Sequence, residues 1–482
     1  MTSTKKNSII KTPPQQKRQF DHRILLLGFG SIGRGILPLL LENLQIQTNQ
    51  ITIIAHNNDG ANIAKEYGID FQLHEIKPRN FVKIIGSQLN ENDFLVNLSC
   101  NLSSAALIKL CDKKGALYID TDNDIWASKS NENLTWEEST NYMMRETTLK
   151  LKSKIKKTAI ITHGANPGLA SHFVKQALLN IAADNKLEVS QPNSPKEWAT
   201  LAKNLGIKVI HVAENDTQIS NSPKVPNEFV NTWSVDGFIQ EGSQPAELGW
   251  GTHEKHWPVD AHKQSVGSKC AIYLDRPGAR TKVRSWTPTY GPIHGLLVTH
   301  AETISLTNFL TLKEGRKVVY RPTVHYAYNA CPDALVSWIE LSNAEGVQQE
   351  NQRILSNEIV QGIDELGVLL MGNHKGAYWF GSTLSVEEAR KLAPYNSATS
   401  LQVVAGVLSG ILWALDNPNA GLVEPEDIDH EFVLNVAKPY LGKLEGYYSD
   451  WTPLKNRGSL FPERTEQLDH SDPWQFVNIR VS

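Results

Sequence analysis

The run Gly28-Phe-Gly30-Ser31-Ile32-Gly33 stands between a short apolar stretch, Arg23-Ile-Leu-Leu-Leu27, and a helix-like stretch from Ile36 to Leu44. Glycines at this spacing, between a strand and a helix, form a turn that holds phosphate groups. Gly28 permits the tight turn, Gly30 lets backbone approach a pyrophosphate, and Gly33 lets the helix pack on the strand. Ser31 and Ile32 lie in the same loop and are expected at the dinucleotide, where the free N–H groups and positive dipole end of the following helix face the anion. Pro38 lies inside this helix and is expected to kink it.

The alternation continues. Ile51 to Ala55 reads as a second strand and Ala61 to Tyr67 as a helix. Phe94 to Leu98 reads as a buried strand, Ser104 to Lys113 as a helix, and Ala116 to Asp120 as a strand. Glu137 to Ile155 reads as a longer helix and Thr158 to Thr162 as a further strand. Repeated βα units predict an α/β fold, a Rossmann-like doubly wound parallel sheet with ligands at the carboxyl ends of its strands. Asn97, Ser99 and Thr121 follow such ends and are expected at a dinucleotide. Asn166, in the turn-rich loop His163-Gly-Ala-Asn-Pro-Gly168, is expected at the same edge. An acid usually closes the second strand and binds the adenosine ribose. Here that stretch reads Ala55-His56-Asn57-Asn58-Asp59, so Asp59, His56 or Asn57 must serve. No Arg stands there to receive a 2′-phosphate, which favours NAD over NADP.

At 482 residues the chain is long enough for two or three domains. Lys and Arg number 48 and Asp and Glu 51, a net charge of -3, so no basic footprint for nucleic acid or an anionic membrane is expected. Cys100, Cys111, Cys270 and Cys331 form no C-x-x-C pair and suggest reduced thiols in a cytoplasm. The most apolar stretch, Val403 to Leu415, reads as a buried helix too short for a bilayer. The first twenty residues are basic, contain no acid and have no apolar segment of signal type; a disordered tail is expected.

Between Val209 and Glu254 the balance shifts. Glu214, Asp216, Glu228, Asp236, Glu241, Glu247 and Glu254 face a single cation, Lys224. A solvated acidic surface would explain this. So would a site for a cationic amine, because Trp233, Phe238 and Trp250 are interleaved and an indole face attracts a cation by about 0.5–2 kcal/mol. His300 ends an apolar stretch, a position compatible with a structural or a catalytic role. Asp364 and Glu365 lie beside apolar residues in Gly362 to Gly367.

Several strings resemble the bacterial homospermidine synthase family, within the wider saccharopine dehydrogenase-like group. They are Gly164 to Gly168, Ala213-Glu-Asn-Asp-Thr-Gln218, Asn231-Thr-Trp-Ser-Val-Asp-Gly-Phe238 and Pro245 to Lys255. Others are Tyr290 to His300, Gly362 to Leu369, Ala377 to Ser382 and Asp450 to Leu454. The resemblance runs from Arg23 to the C-terminus. It implies a homodimer with tightly held, recycled NAD, converting putrescine, alone or with spermidine, to homospermidine with loss of ammonia. By the same resemblance Trp233 makes a cation–π contact and Glu214 and Glu241 bind amine groups. Asn166 is a pocket amide near the nicotinamide, His300 a site histidine, and Asp364 a deeper acid. The family tends to carry Glu where Asp124 stands, so Asp124 is expected at the site on a shorter arm. The related alternative is a saccharopine- or carboxyspermidine-type dehydrogenase with net NAD(P)H turnover. It would need Arg or Lys for a substrate carboxylate, and Arg276, Arg280 and Arg284 are near in sequence.

The expected organisation is a tail over 1–20, an NAD-binding domain over 21–165, and a larger α+β substrate and dimerisation domain over 166–393. Residues 394–482 are expected to return a helix to the first domain and then wrap the surface.

Overall fold

The computed structural model describes residues 17–126, 134–458 and 467–481. Its first sheet has seven parallel strands. Their order across the sheet is Leu422–Val423, Ala159–Ile160, Leu117–Asp120, Phe94–Asn97, Ile24–Leu27, Ile51–Ala55 and Asp70–Leu73. The central strands Ile24–Leu27 and Phe94–Asn97 are buried at every residue and apolar except for Asn97, as strands covered by helices on two sides must be. The connections reverse direction on either side of Ile24–Leu27. That reversal opens a crevice at the carboxyl edge, where Leu27 lies in register with Asn97 and Asn97 with Asp120.

Several elements differ from the sequence expectation. The first helix begins at the glycine loop and runs unbroken from Ser31 to Asn43 through Pro38. The helix expected over Glu137 to Ile155 is confined to Asn141–Leu149, with turns on both sides; the Thr140 side chain caps its start by accepting from the Met143 N–H. The strand at 158–162 shrinks to Ala159–Ile160 because Thr162 turns to positive φ. Its outer neighbour comes from far along the chain: Leu422–Val423 pairs with it in parallel. The tail expected to be disordered to residue 20 is anchored from Lys17 onward. Arg18–Gln19 pairs with Leu44–Gln45, Arg18 forms an ion pair with Asp416, and Phe20 is buried.

The second sheet has eleven strands and mixed polarity. At its middle, Val209–Asp216 pairs in parallel with Thr323–Asn329 and antiparallel with Ile363–Asn373. Every residue of Val209–Asp216 is buried, and alternate side chains leave on opposite faces. Ile210 and Val212 join the core shared with the long helices; Val209 and Ala213 join a separate core under Trp379, Trp451, Trp474 and Phe476. The C-terminal Arg480–Val481 adds a strand against Lys282–Thr287. All four cysteines are free thiols.

The helix Ala398–Asp416 lies between the two sheets. It is longer than the stretch read from sequence, and its 19 residues are long and apolar enough to cross a membrane, yet 83% of its apolar 18-residue window is buried in protein. Its polar side chains find partners inside: Thr399 donates to Asp364, Gln402 to the Ser382 hydroxyl, and Ser409 to the Gly406 carbonyl. Gly406 meets the loop that carries Asn166. A Cβ at Gly406 would lie 1.9 Å from the Gly164 carbonyl oxygen, so any side chain there would push helix and loop apart.

Candidate active site at the sheet edges

The glycine loop has the shape a dinucleotide needs. Gly28 has φ +86 and abuts the Ser99 hydroxyl. Around Gly30, a Cβ would meet nothing within 4 Å, so open space remains beside the backbone. No side chain caps the helix that starts at Ser31, which leaves the amides at Ser31, Ile32 and Gly33 for an anion. Asn97 accepts from the Ser99 N–H and reaches the Tyr118 hydroxyl, and Thr121 packs beside Gly164. These residues fit a dinucleotide. Asp59 lies at the loop after Ile51–Ala55, hydrogen-bonded to Asn57. The stretch Ala55 to Asp59 holds no Arg, as read from the sequence, but Arg34, in the first helical turn, lies against Gly60 within electrostatic range of Asp59. It was invisible because it belongs to the glycine loop in sequence and meets the second-strand loop only in space.

Across the crevice, the second sheet and its helices bring a buried polar cluster together. His300 caps the helix Ala301–Phe309 and hydrogen-bonds at both ring nitrogens: Nδ1 lies 2.7 Å from Asn166 Oδ1 and Nε2 3.2 Å from Glu241 Oε2. Asn166 turns its other end to Glu214, donating from Nδ2 to Oε2 at 3.4 Å. Tyr326 also donates to Glu214 and packs its ring 4.5 Å from that of His300. The Trp233 indole N–H donates to the Tyr328 hydroxyl at 3.0 Å, which fixes the indole plane. Tyr326 and Tyr328 stack at 5.3 Å, two positions apart on one face of their strand. Asp364 accepts from Thr399 through one oxygen, while its Oδ1 is buried without a partner.

The electrostatics follow from burial. Desolvation pushes Glu214 up to about 7 and Asp122 up to about 6, and raises Asp364 well above its ordinary range with Glu214 and Asp216 adding repulsion. For His300, burial favours the neutral ring, but Glu241, Glu302 and Asp122 outweigh it and raise the imidazole above its ordinary range. Carboxyl groups thus outnumber cations in a closed space, an arrangement relieved by a bound cation.

Of the expected site residues, Glu214, Glu241, Asn166 and His300 meet directly; Trp233 joins through Tyr328, and Asp364 stands behind Glu214. Asp124 does not join them. Its carboxylate accepts from the Asn101 N–H and the Gln240 side chain, both at 2.6 Å, and so ties the first domain to the helix Val235–Ser243 that carries Glu241. Asp122 stands in electrostatic contact with Glu241 and His300 instead. The sequence offered three acids at alternate positions, 120, 122 and 124, without a way to choose. Tyr326 and Tyr328 were missed, although two tyrosines spaced by two on an apolar strand are a legible sign. Trp250 packs with Trp257 and Phe476, away from the cluster. Two of the three arginines considered for a carboxylate are committed elsewhere: Arg276 to Asp260 and Arg284 to the Lys455 carbonyl.

Two family models cover the chain: the saccharopine dehydrogenase NADP binding domain over residues 24–162 and the saccharopine dehydrogenase C-terminal domain over 164–450. Homospermidine synthase of Mesorhizobium japonicum is 48% identical over 95% of this chain and 96% of its own length. The chain belongs to the homospermidine synthase family. Homospermidine synthase of Blastochloris viridis is 47% identical over 96% of this chain and 98% of its own. The crystal structure of the Legionella pneumophila homospermidine synthase, in complex with NAD, matches with a TM-score of 0.91 and 58% identity. That match covers 97% of this chain and 99% of the other. The family assignment and the α/β architecture of two unequal sheets therefore agree.

Proposed function

We propose that this chain is a homospermidine synthase that joins two putrescine molecules, or putrescine and spermidine, with release of ammonia. The observation that carries this reading is the closed, acid-rich cluster beside a dinucleotide-shaped crevice, in a chain matched to homospermidine synthases over nearly its whole length. The glycine loop, Asn97, Ser99 and Thr121 would hold NAD, which supplies a two-electron acceptor that later returns the same hydride.

The residues divide the work by their surroundings. Trp233, its indole locked by Tyr328, presents a ring face to one ammonium, and Glu214 and Glu241 hold the amine ends. An amine must lose its proton before hydride can leave the neighbouring carbon. Glu214, raised to about 7 by burial, is poised to take it. His300, raised by Glu241 and hydrogen-bonded to Asn166 at Nδ1, is poised to give a proton to the departing ammonia. The imine formed between these steps survives only if water is kept out, which the stacked tyrosines and Phe238 around Trp233 favour. The second amine attacks the imine carbon, ammonia leaves, and hydride return gives homospermidine with no net redox change. Assembly as a homodimer belongs to the same reading and is checked by analytical ultracentrifugation.

The test is to incubate pure protein with putrescine and catalytic NAD. Homospermidine and ammonia should appear in equal amounts with no accumulation of NADH. Steady NADH formation, or no turnover until a keto acid is added, would replace this reading with a dehydrogenase.

A further inference from the structure

The loop after the second strand lacks the acid that ordinarily grips the adenosine ribose at that strand's end, and offers His56, Asn57 and Asn58 first. Arg34 reaches this place from the opposite side. Its Nε donates to the Gly30 carbonyl at 3.1 Å, and its Cδ would lie 3.0 Å from a Cβ on Gly60. Among the described residues, its two terminal nitrogens make no hydrogen bond and no ion pair within 4 Å. Asp59, the adjacent acid, is close enough to act on the guanidinium but spends its carboxylate on the Asn57 side chain at 2.9 Å. A half-buried guanidinium with open donors, beside a loop with only one acid, is the composition that receives a phosphate.

We propose that Arg34 and Asp59 together set the choice between NAD and NADP: Arg34 is the counter-ion for a 2′-phosphate, and Asp59 is the charge that opposes it. The proposal rests on the reading of the crevice as a dinucleotide site. It makes the NAD preference depend on one carboxylate held by Asn57 rather than on a missing cation. Both dinucleotides then fit one pocket, with Arg34 idle towards the first and engaged by the second.

Direct binding of NAD and NADP to the full chain, by isothermal titration calorimetry without substrate, tests it. Asp59→Asn should lower the ratio of the NADP to the NAD dissociation constant about tenfold, the effect of one charge removed near a surface site. Arg34→Gln, which keeps a donor for the Gly30 carbonyl, should cancel that gain in the Asp59→Asn background and raise the ratio on its own. Thermal melting checks that each variant is folded. An unchanged ratio in folded Asp59→Asn protein, or equal loss of both dinucleotides in Arg34→Gln, would overturn the proposal while leaving the dinucleotide site intact. If the unaltered chain binds neither dinucleotide, the crevice reading itself fails and takes the proposal with it.

Discussion

Glu214 and Glu247 belong to the same acidic stretch, lie on one sheet with only the strand Thr323–Asn329 between theirs, and are each pushed up to about 7 by burial. Their surroundings are opposite. Glu247 accepts from the Asn141 and Tyr142 N–H groups, the Thr299 hydroxyl and the Gln264 amide. Glu254 is similarly served by Thr323 and the Phe476 N–H. These acids tie distant segments together and need nothing further. Among the described residues, Glu214 receives Tyr326 and a long contact from Asn166, both on Oε2, and no donor on Oε1, with Asp216 and Asp364 repelling it nearby. Titration shifts cannot separate the two kinds of acid; the inventory of donors can. An acid with all its donors built in is structural, and one left short of donors waits for a cation.

The largest expected effects set these two acids against each other. Glu241→Gln or Glu214→Gln should raise the putrescine KM about 10–100-fold, the worth of a charge-assisted hydrogen bond of about 1.5–3 kcal/mol, with little change in unfolding midpoint. Glu247→Ala should do the reverse: it orphans buried N–H groups and costs about 2–4 kcal/mol by urea titration, with KM unchanged. If Glu247→Ala raised KM as Glu241→Gln does, the division would collapse. Next in size, Trp233→Ala should lose about 2–30-fold in kcat/KM through the missing cation–π contact, while Trp233→Phe keeps a ring and most of the rate. Equal losses would remove the ring face from the account.

A pH series sharpens the comparison further. The native pKa of Glu214 lies above its unfolded value, so between roughly pH 4.5 and 7 the native state retains a proton that the unfolded state has lost. Its contribution to stability therefore falls as pH rises through that window. A bound diamine offsets this at Glu214 but not at Glu247. The rise in melting temperature given by putrescine should grow from pH 5 to pH 8; a flat or shrinking rise would show that Glu214 does not meet the amine. The smallest effect is expected at Gln240. Gln240→Ala frees Asp124 and loosens the helix carrying Glu241, at about 1 kcal/mol. The sign to look for is a small leak of aldehyde and NADH relative to homospermidine, absent if the Asp124 contact has no part in closure.

Much of the site was legible because its parts sit in strings with a strong local character. The glycine loop, the His163 to Gly168 turn and the acid-and-indole run around Trp233 all read as site material before any contact was known. What the sequence left open were choices among equivalent residues and contacts between distant ones. Asp122 and Asp124 differ only in which way the chain turns after Leu117–Asp120. Arg34 and Asp59 are 25 positions apart and become neighbours only when the first helix docks on the second-strand loop. The helix expected over Glu137 to Ile155 was too long because helical composition continues past Leu149, where the backbone turns aside.

The sequence by itself determined the parallel sheet and the glycine loop, because each rests on periodicity or on a few adjacent residues, and it left the acid-and-indole run open between a solvated face and an amine site. Only the tertiary structure decided which acids are ringed by donors, that Leu422–Val423 completes the first sheet, and that Asp124 holds the Asn101 N–H and the Gln240 side chain. The count of donors around a buried oxygen settles the first of these, and such donors come from segments as near as 17 and as far as 106 residues away around Glu247 alone.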